Sequence, residues 1–212
     1  MTVSIDYPKL MTKLPGPKAR KILAKDKKFI SPSYTRGYPL VIDKGEGVKV
    51  IDVDGNVFLD FTSGIAVCNT GHRHPDVVKA VIDQANAFLH MSGTDFYYAI
   101  QSELAEKLAG ISPGTGDRRV FYSNSGAESI EAALKLVRYH TKRSLLISFF
   151  GSFHGWTMGA LSLSASKSIH EKGFAPLVPG ITHVPYGYCY RCPYNLKHPE
   201  CDTFCVDWIR ED

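Results

Sequence analysis

Between Val120 and Phe150 the sequence passes from a short apolar run, Val120 to Ser123, through small polar residues into a helical stretch and back into a second apolar run, Leu145 to Phe150. In the helical stretch, Ser125 to Tyr139, the residues Ile130, Ala133, Leu134 and Val137 recur on one face. Strand, helix, strand is a βαβ unit, and a crossover of this length implies that its two strands lie parallel. The pattern therefore sets the fold class as α/β. A parallel sheet must be covered on both faces and is usually built from several such units, yet only about 60 of the 212 residues follow Phe150. The expectation is an unfinished α/β domain with an open sheet edge and an uncovered apolar face. With 44% hydrophobic and 22% charged residues, the chain has the composition of a globular protein, not of a disordered or coiled-coil one.

Upstream, Val50, Ile51 and Val53 on one side and Val57, Phe58, Leu59 and Phe61 on the other flank Asp54-Gly55. That dipeptide favours a tight turn between antiparallel strands, which predicts a β-hairpin within Val48 to Phe61. Residues 1–30 mix Pro8, Pro15 and Pro17 with lysines and read as an extended lead-in holding one short helix at Lys18 to Ala24. Pro75 can start a helix carrying Val78, Val81, Ile82, Ala85 and Leu89, and a further helix carries Ile100, Leu104, Leu108 and Ile111 up to the Pro113-Gly114 break.

Net charge is +4, concentrated upstream: residues 1–49 hold 11 Lys or Arg against 4 Asp or Glu. A basic segment without interleaved aromatics or a recognition motif is a poor nucleic-acid footprint, so no nucleic-acid partner is expected. No apolar stretch approaches the roughly 20 residues needed to cross a bilayer, and the first ten residues have no signal-peptide pattern. No membrane association is expected, and cytoplasmic location is the default.

The turn Ser123-Asn124-Ser125-Gly126-Ala127-Glu128 leads from the first apolar run into the helix. Ser125 with Glu128 three residues on makes a capping box, which leaves the backbone N–H groups of Gly126 and Ala127 pointing outward at the positive end of the helix dipole. Such a turn suits a phosphate, although an ordinary capped helix has the same pattern. The second strand runs out into Phe153-His154-Gly155-Trp156, and ligands gather at the C-terminal ends of neighbouring parallel strands. There Phe153 can face an aromatic ring and His154 can hydrogen-bond beside it.

Taken together, Phe58-Leu59-Asp60-Phe61-Thr62-Ser63-Gly64-Ile65-Ala66-Val67, Gly71-His72-Arg73-His74-Pro75, Ser123 to Ala133 and Phe153-His154-Gly155 resemble the class III (omega) aminotransferases, in order and spacing, from about residue 30 to 186. These are fold-type I pyridoxal-phosphate enzymes and include the 4-aminobutyrate, ornithine and acetylornithine aminotransferases. The resemblance implies that Ser125, Gly126 and Ala127 hold the pyridoxal phosphate (PLP) through its phosphate group, with Phe153 stacked on the pyridine ring and His154 beside it. It implies that the Gly64 to Val67 stretch, with Ile65 and Val67, lines the substrate entrance. Residues 1–70 would be the N-terminal part of the small domain and residues 71–212 an incomplete PLP-binding large domain. The implied reaction moves an amino group between an amino acid, 4-aminobutyrate or another omega-amino acid among the candidates, and a 2-oxo acid, in a homodimer. A racemase on the same scaffold, and an inactive or split-chain binding module, are the alternatives.

Two departures matter. In the family a lysine forms the Schiff base and an acid pairs with the pyridinium nitrogen, both later in the chain than Asp212. Lys135 and Lys167 are no substitutes, so no catalytic residue is assigned within this sequence, which reads as an N-terminal half needing a complementary C-terminal chain. Trp156 stands where many members have an arginine able to grip a substrate carboxylate, which points either to a more apolar substrate or to a carboxylate contact from elsewhere.

Finally, Cys189 and Cys192, then Cys201 and Cys205, form two knuckles separated by eight residues, with His198 between them, within the Cys-rich segment 189–205. Four thiolates around Zn²⁺, two disulfides across the knuckles and free thiols are all compatible with this spacing. Cys68 reads as a small buried residue.

Overall fold

A computed structural model of the chain describes residues 8–211, so residues 1–7 of the expected lead-in lie outside the described residues. The fold divides into two compact units, one ending at Phe96 and the other beginning at Tyr97.

The first unit begins with helix α1 (Pro17–Phe29), longer than the segment expected from Lys18 to Ala24. Its cap comes from a distance: the backbone N–H groups of Lys18 and Ala19 donate to the Asp54 carboxylate at 2.8 and 2.9 Å. A side chain at the N-cap residue Gly16 would have no room, because its Cβ would lie 2.3 Å from Asp54. Strands β1 (Ile42–Glu46), β2 (Lys49–Asp52) and β3 (Val57–Leu59) form an antiparallel sheet in that order. The expected Asp54-Gly55 hairpin joins β2 to β3, with Gly55 at φ 87°, a conformation open to glycine at little cost. Strand β1 lacks the apolar alternation that marks its neighbours.

The hairpin is locked by buried polar groups. Asp52 and Asn56 are 2% and 0% exposed. The Asn56 N–H and side-chain amide donate to Asp52 at 2.8 and 2.7 Å, while Asn56 Oδ1 accepts from the N–H groups of Met11 and Thr12 at 2.7 and 2.9 Å. Groups buried this far from water require such partners. Beyond β3 comes a short left-handed turn, α2 (Ser63–Ala66), and then α3 (Pro75–Ala87), which starts at the proline as expected.

The second unit holds α4 (Ala99–Ile111), α5 (Gly126–Thr141), β4 (Leu146–Phe149), α6 (Met158–Leu163), β5 (Ile181–Val184) and α7 (Phe204–Glu211). A parallel pair forms, but its members are β4 and β5, in register from Leu146 opposite Ile181 to Phe149 opposite Val184, with α6 in the crossover. The Val120 to Ser123 run is not a strand, which corrects the expected βαβ unit. A short apolar run becomes a strand only when a neighbour offers its N–H and C=O groups, and no described strand pairs with this one.

The core of this unit is small: Leu134, Ala160, Leu161 and Val184 are buried together with the hydroxyls of Ser148, Ser162 and Ser164. The apolar stripes predicted for α3 and α4 are exposed, at Val81 on α3 and at Ile100 and Ile111 on α4, and Leu89, expected on the first of them, lies beyond the end of α3 at Ala87 and is exposed as well. Among the described residues no helix is long and apolar enough to cross a membrane.

Candidate active site

Helix α5 starts as its sequence requires. Ser125 is the N-cap in extended conformation, and its Oγ accepts from the Glu128 N–H at 3.2 Å. The reciprocal bond is shifted by one residue, since Glu128 Oε2 accepts from the Asn124 N–H at 2.6 Å and not from the N-cap residue. This leaves the N–H groups of the first turn directed away from the helix, and a Cβ on Gly126 would meet nothing within 4 Å. The space in front of the turn is open to a ligand.

A second segment, Phe153 to Thr157, closes one side of that space. It touches the turn at Gly155, where an added Cβ would fall 2.5 Å from the Ala127 Cβ and 3.1 Å from that of Ala160. Buried Ser164 holds the segment by accepting from the His154 N–H at 2.9 Å and donating to the Ala160 carbonyl at 2.9 Å. Ser125, Gly126, Ala127, Phe153, His154 and Trp156 thereby line a single cleft of about 860 Å³. Five of these six were assigned to the cofactor and the sixth, Trp156, to substrate.

Phe153 and Trp156 stay half exposed, and their rings meet edge to face at 5.2 Å. His170 completes the group, with its ring 5.8 Å from Phe153 and 4.8 Å from Trp156. Neither His170 nor Ser164 was found from sequence. Both act across loops, and no local spacing marks them.

The other expected substrate residues belong to the first unit. Ile65 and Val67 are 91% and 75% exposed, on and just after the turn α2. Ser63, Gly64, Ile65 and Ala66 have φ of 49°, 66°, 63° and 61°, so the backbone winds left-handed through three residues that carry a Cβ. Asp60 anchors the turn. Its Oδ1 accepts from Thr62 N–H and Oγ1 and from Ser63 N–H at 2.8, 2.8 and 3.0 Å, and its Oδ2 lies 2.7 Å from His72 Nε2. The bond to His72, followed by those from Thr62 and Ser63, holds the Asp60 carboxyl well below the usual carboxylate range.

The cysteine segment behaves differently from the metal expectation. Cys189, Cys192, Cys201 and Cys205 line one small cavity of about 20 Å³ with Tyr194 and His198, and all are free thiols. Among the described residues no group of three His, Cys, Asp or Glu is arranged to hold a metal, and the four cysteines stand as free thiols. Sharing a cavity wall is a weaker condition than converging on one point at about 2.3 Å, which Zn–S bonds demand. The Tyr194 ring instead packs against Phe204 and Trp208 of α7. Desolvation, then the charges of Cys205 and Cys192, push its phenol up. Cys68, expected to be buried, is partly exposed.

Residues 30–209 match the protein-family model described as aminotransferase class-III. An acetylornithine aminotransferase of Methanosarcina acetivorans is 47% identical over 173 residues, covering 80% of this chain and 42% of that protein. An alanine/serine racemase of Pyrococcus horikoshii is 35% identical over 196 residues, covering 92% of this chain and 41% of that protein. Among solved structures, a taurine:2-oxoglutarate aminotransferase of Bifidobacterium kashiwanohense, in complex with PLP and glutamate, superimposes with a TM-score of 0.77 at 25% identity, covering 95% of this chain and 44% of that one. The chain thus spans about two fifths of the length of the curated relatives it matches.

Proposed function

Because the chain belongs to the class-III aminotransferase family, whose members use pyridoxal phosphate, we propose that it supplies the phosphate cradle and aromatic shelf of an enzyme that moves an amino group between an amino acid and a 2-oxo acid. The observation that carries this reading is the cleft in which the capped start of α5 meets Phe153 and His154. The residues fit the cofactor. The first-turn N–H groups of α5 and its dipole favour the phosphate dianion, the open space before Gly126 admits it, and the half-exposed face of Phe153 matches a flat ring.

When bound, the cofactor supplies an electron sink for the substrate's α-carbon. The chain's own contribution is to bind and orient. Ser125, Gly126 and Ala127 would hold the phosphate end, Phe153 would offer its face to the ring, and His154, its backbone tied to Ser164, would lie beside them. Trp156 narrows the cleft with an apolar face where an arginine would grip a carboxylate, which favours a substrate whose carboxylate is held elsewhere. On this reading residues 1–70 belong to a small domain with Ile65 and Val67 at the substrate entrance, and residues 71–212 to the cofactor domain. The lysine and the pyridinium-pairing acid come from polypeptide outside this sequence, within a homodimer or a complementary chain. That covering polypeptide would also shield the exposed stripes of α3 and α4. Racemisation is the second reading, favoured by the similarity to the P. horikoshii racemase over 92% of this chain.

The test titrates the chain with pyridoxal phosphate, reading Trp156 fluorescence in a Trp208→Phe background. Expected is a reversible quench, competed by inorganic phosphate, with no borohydride-fixed adduct at Lys135 or Lys167. Gly126→Val should weaken binding by about 2 kcal/mol, on the scale of lost charge-assisted hydrogen bonds. A quench that ignores both phosphate and Gly126→Val would overturn the reading.

A further inference from the structure

The phosphate turn and the aromatic shelf lie on different segments, and a ligand that spans both needs their separation held constant. Phe153 to Thr157 is connected to α5 only through the remote loop after Thr141 and strand β4, which by itself leaves the shelf free to shift. One side chain closes that gap. Glu131, on α5 shortly after the phosphate turn, accepts the Gly159 N–H in its Oε1 at 3.0 Å. Gly159 is the second residue of α6, and its N–H is one of the donors that a helix start leaves without an internal partner.

The fit is close. A Cβ at Gly159 would lie 2.4 and 2.7 Å from the two Glu131 oxygens, so the carboxylate occupies the space that any other residue there would need. Residues 159 to 162, which make up most of α6, are buried. The shelf is thus held at its start by Ser164 through the His154 N–H, at its middle by the contact of Gly155 with Ala127, and at its end by Glu131. The Glu131 bond is charge-assisted, and among the described residues it joins the phosphate helix directly to the helix following the shelf.

We infer that Glu131 is a positioning residue, one that sets the distance between the phosphate turn and the Phe153–Trp156 shelf and so selects a ligand carrying a phosphate and an aromatic ring at fixed separation. The inference rests on the cofactor reading above. A misplacement of about 1 Å between two binding elements is enough to lose most of the benefit of engaging both. Glu131 touches neither end of the ligand, so its loss leaves each half-site intact and damages only their joint use.

The experiment compares Glu131→Ala with Glu131→Gln in the whole chain carrying Trp208→Phe, using pyridoxal phosphate and inorganic phosphate as separate probes. Glu131→Ala should weaken pyridoxal phosphate about tenfold or more and leave phosphate affinity unchanged. Glu131→Gln keeps an acceptor oxygen and should restore binding to within about threefold. In the cofactor-free chain, Glu131→Ala should speed exchange of the Gly159 amide and shift Trp156 emission, with the Glu128 amide unaffected and Glu131→Gln again restoring both. Equal loss of both probes, an unchanged pyridoxal phosphate affinity, or failure of glutamine to rescue would overturn the inference. If the unsubstituted chain bound phosphate but not pyridoxal phosphate, the cofactor reading would fall, and the exchange and emission results would still decide whether Glu131 positions the shelf.

Discussion

The turn at Ser125 and the turn at Asp60 are both tied by a carboxylate to neighbouring backbone N–H groups, yet one works with the preferences of the chain and the other against them. At Ser125 the backbone goes from extended straight into a right-handed helix, and Glu128 adds one bond to a conformation that the sequence already favours. At Asp60 the carboxylate gathers three donors and His72 to hold Ser63, Ile65 and Ala66 in the left-handed region, which costs about 1–2 kcal/mol for each such residue. A relaxed turn survives the loss of its tether. A strained one does not, and strain of this kind is found where a chain must present a side chain in one orientation. On the proposed reading the side chain so presented is Ile65, 91% exposed.

The largest effect should follow from removing the tether that opposes strain. With Asp60→Asn, the amides of Thr62 and Ser63 should exchange about tenfold faster or more at neutral pH, as for local opening of a loop with no core beneath it. The pH dependence has a definite sign. A carboxyl whose folded pKa is depressed contributes stability that is present above its unfolded value, about 3.9, and is lost only as pH falls through the folded value. Because Asp60 lies well below the usual range, its turn should keep its NMR shifts at pH 4 and lose them only in stronger acid. A transition of those shifts centred near pH 4 would mean that the His72 and Thr62 bonds do not hold the carboxylate.

The contrast between the turns also explains what could be read in advance. The Asp54-Gly55 hairpin, the proline start of α3 and the capped start of α5 are local devices, each written within a few residues. The cleft residues Ser125 to Ala127, Phe153, His154 and Trp156 followed from such devices together with family resemblance. What was missed depends on distant partners. Strand β1 has no alternation of its own and exists by pairing with β2, and Val120 to Ser123 has the composition of a strand but pairs with no strand among the described residues. The partner of β4 is Ile181–Val184, separated from it by α6 and a long loop. Glu131, Ser164 and His170 reach the cleft across loops, and of the left-handed turn only Gly64 is a local signal, while Ser63, Ile65 and Ala66 depend on the tether at Asp60.

A smaller effect sharpens the comparison by its sign. Ala66 lies in the left-handed turn at φ 61°, and Ala133 lies on the exposed side of α5. Replacing alanine by glycine relieves strain in the first and removes helix propensity in the second. Ala66→Gly should stabilise the turn by about 1 kcal/mol, and Ala133→Gly should destabilise its helix by about 1 kcal/mol. Chemical denaturation of each variant, with backbone amides from both units as probes, reads the two signs. If Ala66→Gly destabilised as Ala133→Gly does, the turn would not be strained in solution.

The smallest effect tests the relaxed turn. Ser125 is exposed and contributes one acceptor, its Oγ, to the Glu128 N–H, so its removal should cost what an ordinary N-cap costs. Ser125→Ala should lower stability by about 1 kcal/mol and Ser125→Gly by only a few tenths, because glycine lets water reach the first-turn N–H groups and adopts the cap conformation easily. The Asn124 N–H keeps its bond to Glu128 Oε2 in both variants, which bounds the loss. Thermal unfolding followed by helix circular dichroism checks the ranking. A loss of about 3 kcal/mol or more for Ser125→Ala would place this turn with the one at Asp60, as a conformation that exists only while its tether does, and the difference between the two regions would disappear.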